Sequence, residues 1–291
     1  MRWQKGRSSR NVEQATGGGG GGFGIGRMRL GLGGTIIAIV IAMIFPSTRG
    51  IIFGLLTGEG DMGSSGTPSQ TTQADMSDPQ VQFVSKVLGS TEDVWTAYFQ
   101  QAGEQYVDPK LTLFNGRVST ACGGASAAVG PFYCPGDKRV YLDLDFFREL
   151  ATRFQSDSDF ARAYVIAHEV GHHVQDQLGI MDMEQQLAQR GEPMQGADGL
   201  SVRLELQADC FAGVWANKSQ QQLQWLQPGD IESALGAASQ IGDDTLQRES
   251  RGTVVPDSFT HGTSAQRVRW FKTGFQSGDV NACDTFQAQS L

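Results

Sequence analysis

The chain has 291 residues, 31 acidic against 23 basic side chains, a formal charge of −8 and four cysteines. That length holds one substantial domain with appendages, or two small domains. Residues 1–58 carry Arg2, Lys5, Arg7, Arg10, Arg27, Arg29 and Arg49 against Glu13 alone. That +6 leaves −14 on the remainder, which excludes nucleic acid as the main partner because phosphate binding needs a basic surface.

Residues 1–29 read as a basic, glycine-rich tail. Its run from Gly17 to Gly22 is low-complexity, and no Gly-Lys-Ser/Thr follows to make it a phosphate loop. Nineteen uncharged residues, LGLGGTIIAIVIAMIFPST, separate Arg29 from Arg49, and GIIFGLLTG follows. A spanning helix takes about 17–25 apolar residues, so residues 30–56 read as one transmembrane anchor. A cleaved signal peptide is the alternative, but the tail is long for an n-region and no small-x-small site directly follows the apolar core. Six Lys/Arg before the span and one after it put the tail in the cytoplasm under the positive-inside bias. The expectation is a single-pass protein of the bacterial inner membrane with its domain extracytoplasmic or periplasmic. Residues 57–78, rich in Gly, Ser, Thr and Gln, read as a flexible linker.

Residues 79–291 then read as one α+β domain, mostly helical with a few short strands. Asp78 and Pro79 suit an N-cap and first helical position. Ser90-Thr91-Glu92-Asp93 reads as a break between two helices, and Asn115-Gly116 as a hairpin turn. RVYLDLDFF alternates as a strand does. From Asp159, Ala163, Ile166, Ala167, Val170 and Val174 recur at helical spacing until Gly179. GLSVRLELQADCFAGVWANK, a stretch near 229–241, and TSAQRVRWFKTGF supply three more helices. The four cysteines lie beyond the span and show no CxxC spacing, which suggests disulfides in an oxidising compartment rather than a zinc cluster. Three pairings are possible, with free thiols as the alternative. The Gly/Pro-rich turn between Cys122 and Cys134 favours that pair, and hence Cys210 with Cys283.

AHEVGHHVQDQ places His168 and His172 four residues apart, about 40° around a helix axis. Both imidazoles can address one metal, and Glu169 beside them can take a proton from water: the H-E-x-x-H arrangement. Gly171 lets another segment approach. His173 points about 100° away and reads as a surface or supporting residue. A catalytic zinc needs a third protein ligand and an open position. Only one further histidine, His261, exists, so a carboxylate is the natural candidate. Glu205 and Asp209, four apart among apolar residues, would be ligand and histidine-orienting acceptor. Ordinary salt bridges to Arg203 or Lys218 are the alternative.

HEVGHHVQ followed by RLELQADCFAGVWA resembles the bacterial family of neutral zinc metallopeptidases. MRWQKGRSSRNVE, CGGASAAVGPFYCPGDKRVYLDLDFF and FTHGTSAQRVRWF look like that family too. The resemblance implies a zincin-like, gluzincin-type fold and a membrane-anchored protease with one Zn2+ per chain, acting on a protein or peptide. Zincin substrates add a strand to a sheet edge, and VYLDLDFF is the candidate edge by analogy. The pairing of H-E-x-x-H with E-x-x-x-D (Glu205 to Asp209) also resembles integral-membrane zinc proteases, as does the spacing from His261 to Arg267. By that likeness His261 stabilises an oxyanion, with Arg267 as orienter or second donor; a helix-capping loop histidine is the alternative. Two rival functions remain: a non-catalytic envelope scaffold retaining zinc, and a zinc amidase acting on cell-wall peptide.

Overall fold

The computed structural model describes residues 1–16, 68–126, 130–145 and 159–291. The strands in chain order are β1 (Val12–Ala15), β2 (Thr71–Gln73), β3 (Lys110–Phe114), β4 (Arg117–Thr120), β5 (Gly123–Ser126), β6 (Phe132–Cys134) and β7 (Arg139–Asp143). The helices are α1 (Pro79–Gln101), α2 (Asp159–Gln177), α3 (Ile180–Gln189), α4 (Leu200–Leu223), α5 (Asp230–Gln240), α6 (Asp243–Arg251) and α7 (Ser264–Ser277). The α+β, mostly helical expectation holds.

Five strands form one sheet in the order β2-β1-β3-β7-β6, and β4 pairs with β5 alone. β1, β3 and β7 run parallel, while β2 and β6 run antiparallel on the two edges. Side chains alternate across the strands. Leu111, Leu113, Val140 and Leu142 join the main core with apolar residues of α1, α2 and α4. Phe114, Tyr141, Phe132 and Cys134 form a smaller cluster with Val118.

Helices α2, α4 and α7 stack closely because small residues stand at the crossings. A Cβ on Gly171 would lie 3.1 Å from the Ala208 carbonyl oxygen, so α2 meets α4 one residue before Asp209. A Cβ on Gly213 would lie 2.2 Å from the Phe271 carbonyl oxygen, and one on Gly274 only 1.9 Å from that of Cys210. No side chain fits at either place.

Several sequence expectations change. α1 runs unbroken through Ser90-Thr91-Glu92-Asp93, with Asp78 Oδ1 accepting from Gln80 N at its start. Ser and Thr cost about 0.5 kcal/mol each in helix propensity, whereas each buried Val, Leu or Phe gains about 1.5–3 kcal/mol. Val87, Leu88, Val94, Trp95 and Phe99 are all buried, so packing wins. The hydroxyls of Ser90 and Thr91 turn back to the Val87 and Leu88 carbonyls, and Glu92 is met by Ser9, Asn11 and Arg7.

Those last contacts carry the largest correction. The N-terminal residues, expected as a separate cytoplasmic tail, belong to the domain as far as residue 16. β1 is an interior strand, Arg2 and Lys5 donate to carbonyls at the end of α4, and Arg7 pairs with Glu92 and Asp93. The end of the expected linker is β2, and Thr16 N donates to Gln70 O. Residues on both sides of the expected anchor therefore join one sheet. Residues 30–56 lie outside the described residues, and no described helix is long and apolar enough to cross a membrane.

Asn115-Gly116 makes a corner rather than a hairpin. Gly116 is left-handed and donates to Asp143, and the chain leaves the sheet for β4. The candidate edge strand, β7, is interior because β6 pairs along its outer side. Helices α3 and α6 were not foreseen.

Candidate metal centre

The crossing of α2 over α4 at Gly171 brings a carboxylate of α4 against two histidines of α2. His168 Nε2 stands 3.1 Å from Glu205 Oε2, and His172 Nε2 stands 3.5 Å from Glu205 Oε1. One ligand atom from each of the three lies within 4.8 Å of the others. Zinc bonds of about 2.0–2.2 Å at tetrahedral angles separate ligand atoms by about 3.4 Å, so this donor set fits zinc in type and spacing.

The other nitrogen of each histidine is held. His168 Nδ1 donates to Asp209 Oδ1 at 2.9 Å. Gln175 uses its amide nitrogen on Leu204 O and Gln207 Oε1, so its oxygen accepts from His172 Nδ1 at 2.8 Å. Both Nε2 lone pairs are thereby turned toward the shared site, the usual outer support of metal-ligating histidines.

Asp209 is fully buried. Arg267 Nε donates to its Oδ2 at 2.8 Å and Arg267 Nη2 to its Oδ1 at 2.9 Å, and the Tyr164 hydroxyl donates to Oδ1 as well. Burial opposes ionisation of Asp209, but Arg267 and His168 outweigh it and hold its carboxyl below the ordinary range. For His168 burial likewise disfavours charge, yet Asp209 and Glu205 raise its pKa to about 10 when no cation competes. Burial also opposes the charge on Glu205, and His261 and His172 pull its carboxyl well below the ordinary range.

Glu169 lies on the same helix as His168 and His172, buried, with its charge coupled to theirs. Burial pushes its carboxyl above the ordinary glutamate range, against the pull of His168 and His172.

His261 does reach the cleft. Its Nε2 is 3.9 Å from Glu205 Oε1, and its Nδ1 is 2.8 Å from Thr260 Oγ1 and 3.7 Å from Asp243 Oδ1. Arg267 is close enough for its charge to oppose protonation of His261, but its hydrogen bonds go to Asp209 and Tyr164. Arg267 lies behind His168, clamped to Asp209, because α7 turns that side chain toward α4.

His173 is buried rather than on the surface. Its Nε2 donates to Val107 O at 2.7 Å, and its ring packs edge-on against Tyr106 and Tyr133. Both disulfides of the favoured pairing are present, Cys122–Cys134 and Cys210–Cys283.

Sequence reading missed Tyr164, Gln175, Glu184 and Asp243. Tyr164 and Gln175 sit at helical spacings from His168 and His172, a signal that was available. Glu184 on α3 carries a carboxyl that burial first, and the Glu205 charge second, raise to about 7. Asp243 gave no local sign.

The chain matches the profile of the family described as "Putative neutral zinc metallopeptidase" over residues 1–286. It is 47% identical over 290 residues to "Uncharacterized protein YpfJ" of Escherichia coli (strain K12), covering 98% of this chain and 99% of that one. Over 196 residues it is 49% identical to "Uncharacterized protein Rv2575" of Mycobacterium tuberculosis H37Rv, covering 64% and 65% of the two chains. No solved structure matches it significantly. With a His-His-Glu donor set in place and a family match along nearly its whole length, the chain belongs to the neutral zinc metallopeptidase family.

Proposed function

We propose that the protein hydrolyses peptide bonds at a single zinc site held by His168, His172 and Glu205, with Glu169 as general base. One observation carries this reading: the three ligand atoms cluster within 4.8 Å, and the buried Glu169 carboxyl interacts electrostatically with two of the ligands, His168 and His172. A purely structural zinc site is closed by four protein ligands and has no use for such a carboxyl. Bound zinc supplies Lewis acidity, polarising the scissile carbonyl and making water acidic near neutral pH. Glu169 accepts the proton of the attacking water and delivers it to the leaving amine, a task suited to a carboxyl raised by burial. His261 faces the same cleft and donates through Nε2 to the developing oxyanion. Asp209, clamped by Arg267, keeps His168 in the ligating orientation. A peptide substrate adds along β6, the edge nearest α2.

The two disulfides support an oxidising, extracytoplasmic location. Attachment at the bacterial inner membrane through residues 30–56 then leaves both flanking segments outside. Epitope tags near residue 10 and at Leu291 should both be digested by protease added to spheroplasts; protection of either one refutes this placement.

The catalytic reading is tested with the full-length, zinc-loaded chain and a mixed peptide library. Glu169→Gln should keep one zinc per chain and lose at least about 10²–10⁴-fold in kcat, while Glu205→Ala should fail to retain zinc. Undiminished cleavage by the Glu169 variant would sink the mechanism.

A further inference from the structure

Helix α6 begins at Asp243 with the chain segment of His261 seated on its first residues. Asp243 Oδ2 accepts three consecutive backbone N–H groups: Thr260 at 2.7 Å, His261 at 2.7 Å and Gly262 at 3.1 Å. Asp243 N returns a bond of 2.8 Å to Gly262 O. Next along α6, Asp244 Oδ1 accepts from Ser264 N at 2.8 Å. Gly242 packs so tightly that a Cβ there would lie 2.3 Å from Ser264 N. Asp243 is only 3% exposed. A run of backbone N–H groups converging on one point is the geometry that binds anions; here the anion is the protein's own carboxylate.

We propose that Asp243 is the positioning residue for His261, locking residues 260–262 so that Nε2 faces Glu205 and the metal cleft. Among the described residues, Asp243 has no hydrogen bond or ion pair to His168, His172 or Glu205; its contacts are to residues 260–262. It acts on His261 alone, through the loop backbone and through its Oδ1, which lies 3.7 Å from His261 Nδ1. The inference rests on the peptidase reading above and specifies which residue makes His261 competent. Residues 260–262 carry no metal ligand, so the lock should matter for turnover and not for zinc.

The test is a double-mutant cycle in the full-length, zinc-loaded chain. Asp243→Ala and His261→Ala should each lower kcat about 10²–10³-fold, the usual effect of losing one oxyanion donor, with KM little changed and zinc still at one per chain. The double variant should be no slower than the slower single variant, because both changes remove one device. Losses that multiply, or zinc lost in Asp243→Ala, overturn the proposal. If the alanine variant does not fold, the isosteric Asp243→Asn replaces it and the same non-additivity is required. If the wild-type chain binds zinc but cleaves nothing, the peptidase reading fails. Amide exchange then still decides the positioning role: faster exchange at Thr260, His261 and Gly262 in the Asp243 variant supports it, and unchanged exchange overturns it.

Discussion

Replacing Arg267 separates what stabilises the fold from what orients the ligand. The Asp209–Arg267 pair is shielded from water, at 0% and 3% side-chain exposure, with two nitrogen–oxygen contacts of 2.8 and 2.9 Å. Arg267→Met leaves the Asp209 charge buried with only His168 and Tyr164 as partners. Breaking such a pair from one side costs about 3–5 kcal/mol. Replacing the whole polar cluster with apolar groups of similar volume is often close to neutral. The triple variant Tyr164→Phe, Asp209→Leu, Arg267→Met should therefore recover most of that loss. Zinc affinity should not recover, because His168 Nδ1 then has no acceptor to set its tautomer. Loss of such a supporting group weakens metal binding by about 10–100-fold, or about 1.4–2.8 kcal/mol. Urea denaturation of the zinc-free chains gives the stabilities, and competition with a chromogenic chelator gives the affinities. Two results refute the reasoning: a single variant that loses less than about 1 kcal/mol, or a triple variant that regains wild-type zinc affinity.

Three further outcomes follow from the same geometry. Cys210–Cys283 closes a loop of 73 residues and Cys122–Cys134 one of 12. Chain-entropy scaling gives about 4 and about 3 kcal/mol, so Cys→Ala pairs should lower the urea midpoint more at the first bridge, and equal or inverted losses contradict this. Without a cation His168 holds a proton up to about pH 10, above the ordinary 6.5. Zinc must displace that proton, so binding at pH 7 should release at least about one proton per chain, with affinity rising toward pH 10. The same raised pKa stabilises the zinc-free fold below about pH 6.5, a contribution lost as pH rises through about 10. Calorimetry in two buffers of different ionisation enthalpy measures the release, and a value near zero contradicts it. Gly274→Ala places a Cβ 1.9 Å from the Cys210 carbonyl; forcing α4 and α7 apart should cost about 3 kcal/mol or more, which an unchanged Tm would refute.

The features legible in the sequence are those governed by spacing along one helix. His168, Glu169 and His172 share α2, and Glu205 and Asp209 share α4; a period of 3.6 residues places each set on one face whatever the rest of the chain does. Gly171 carried tertiary information as well, because an absent side chain in an apolar helix implies a close neighbour, here Ala208. Other assignments depended on partners that no local pattern names. Whether β7 is an edge was decided by β6, and whether Ser90-Thr91 breaks a helix was decided by burial against the core and the N-terminal segment. β1 pairs with β3 about a hundred residues later, Val12 opposite Leu111. A strand of four residues has no signal strong enough to reveal such a partner. Arg267 and Asp243 make the same point within the site. Only the folded chain decides that Arg267 turns to Asp209, and that the carboxylate seating His261 comes from the first residue of α6. Long-range hydrogen bonds form where the packed backbone leaves a donor needing an acceptor, and that need exists only once the helices have met.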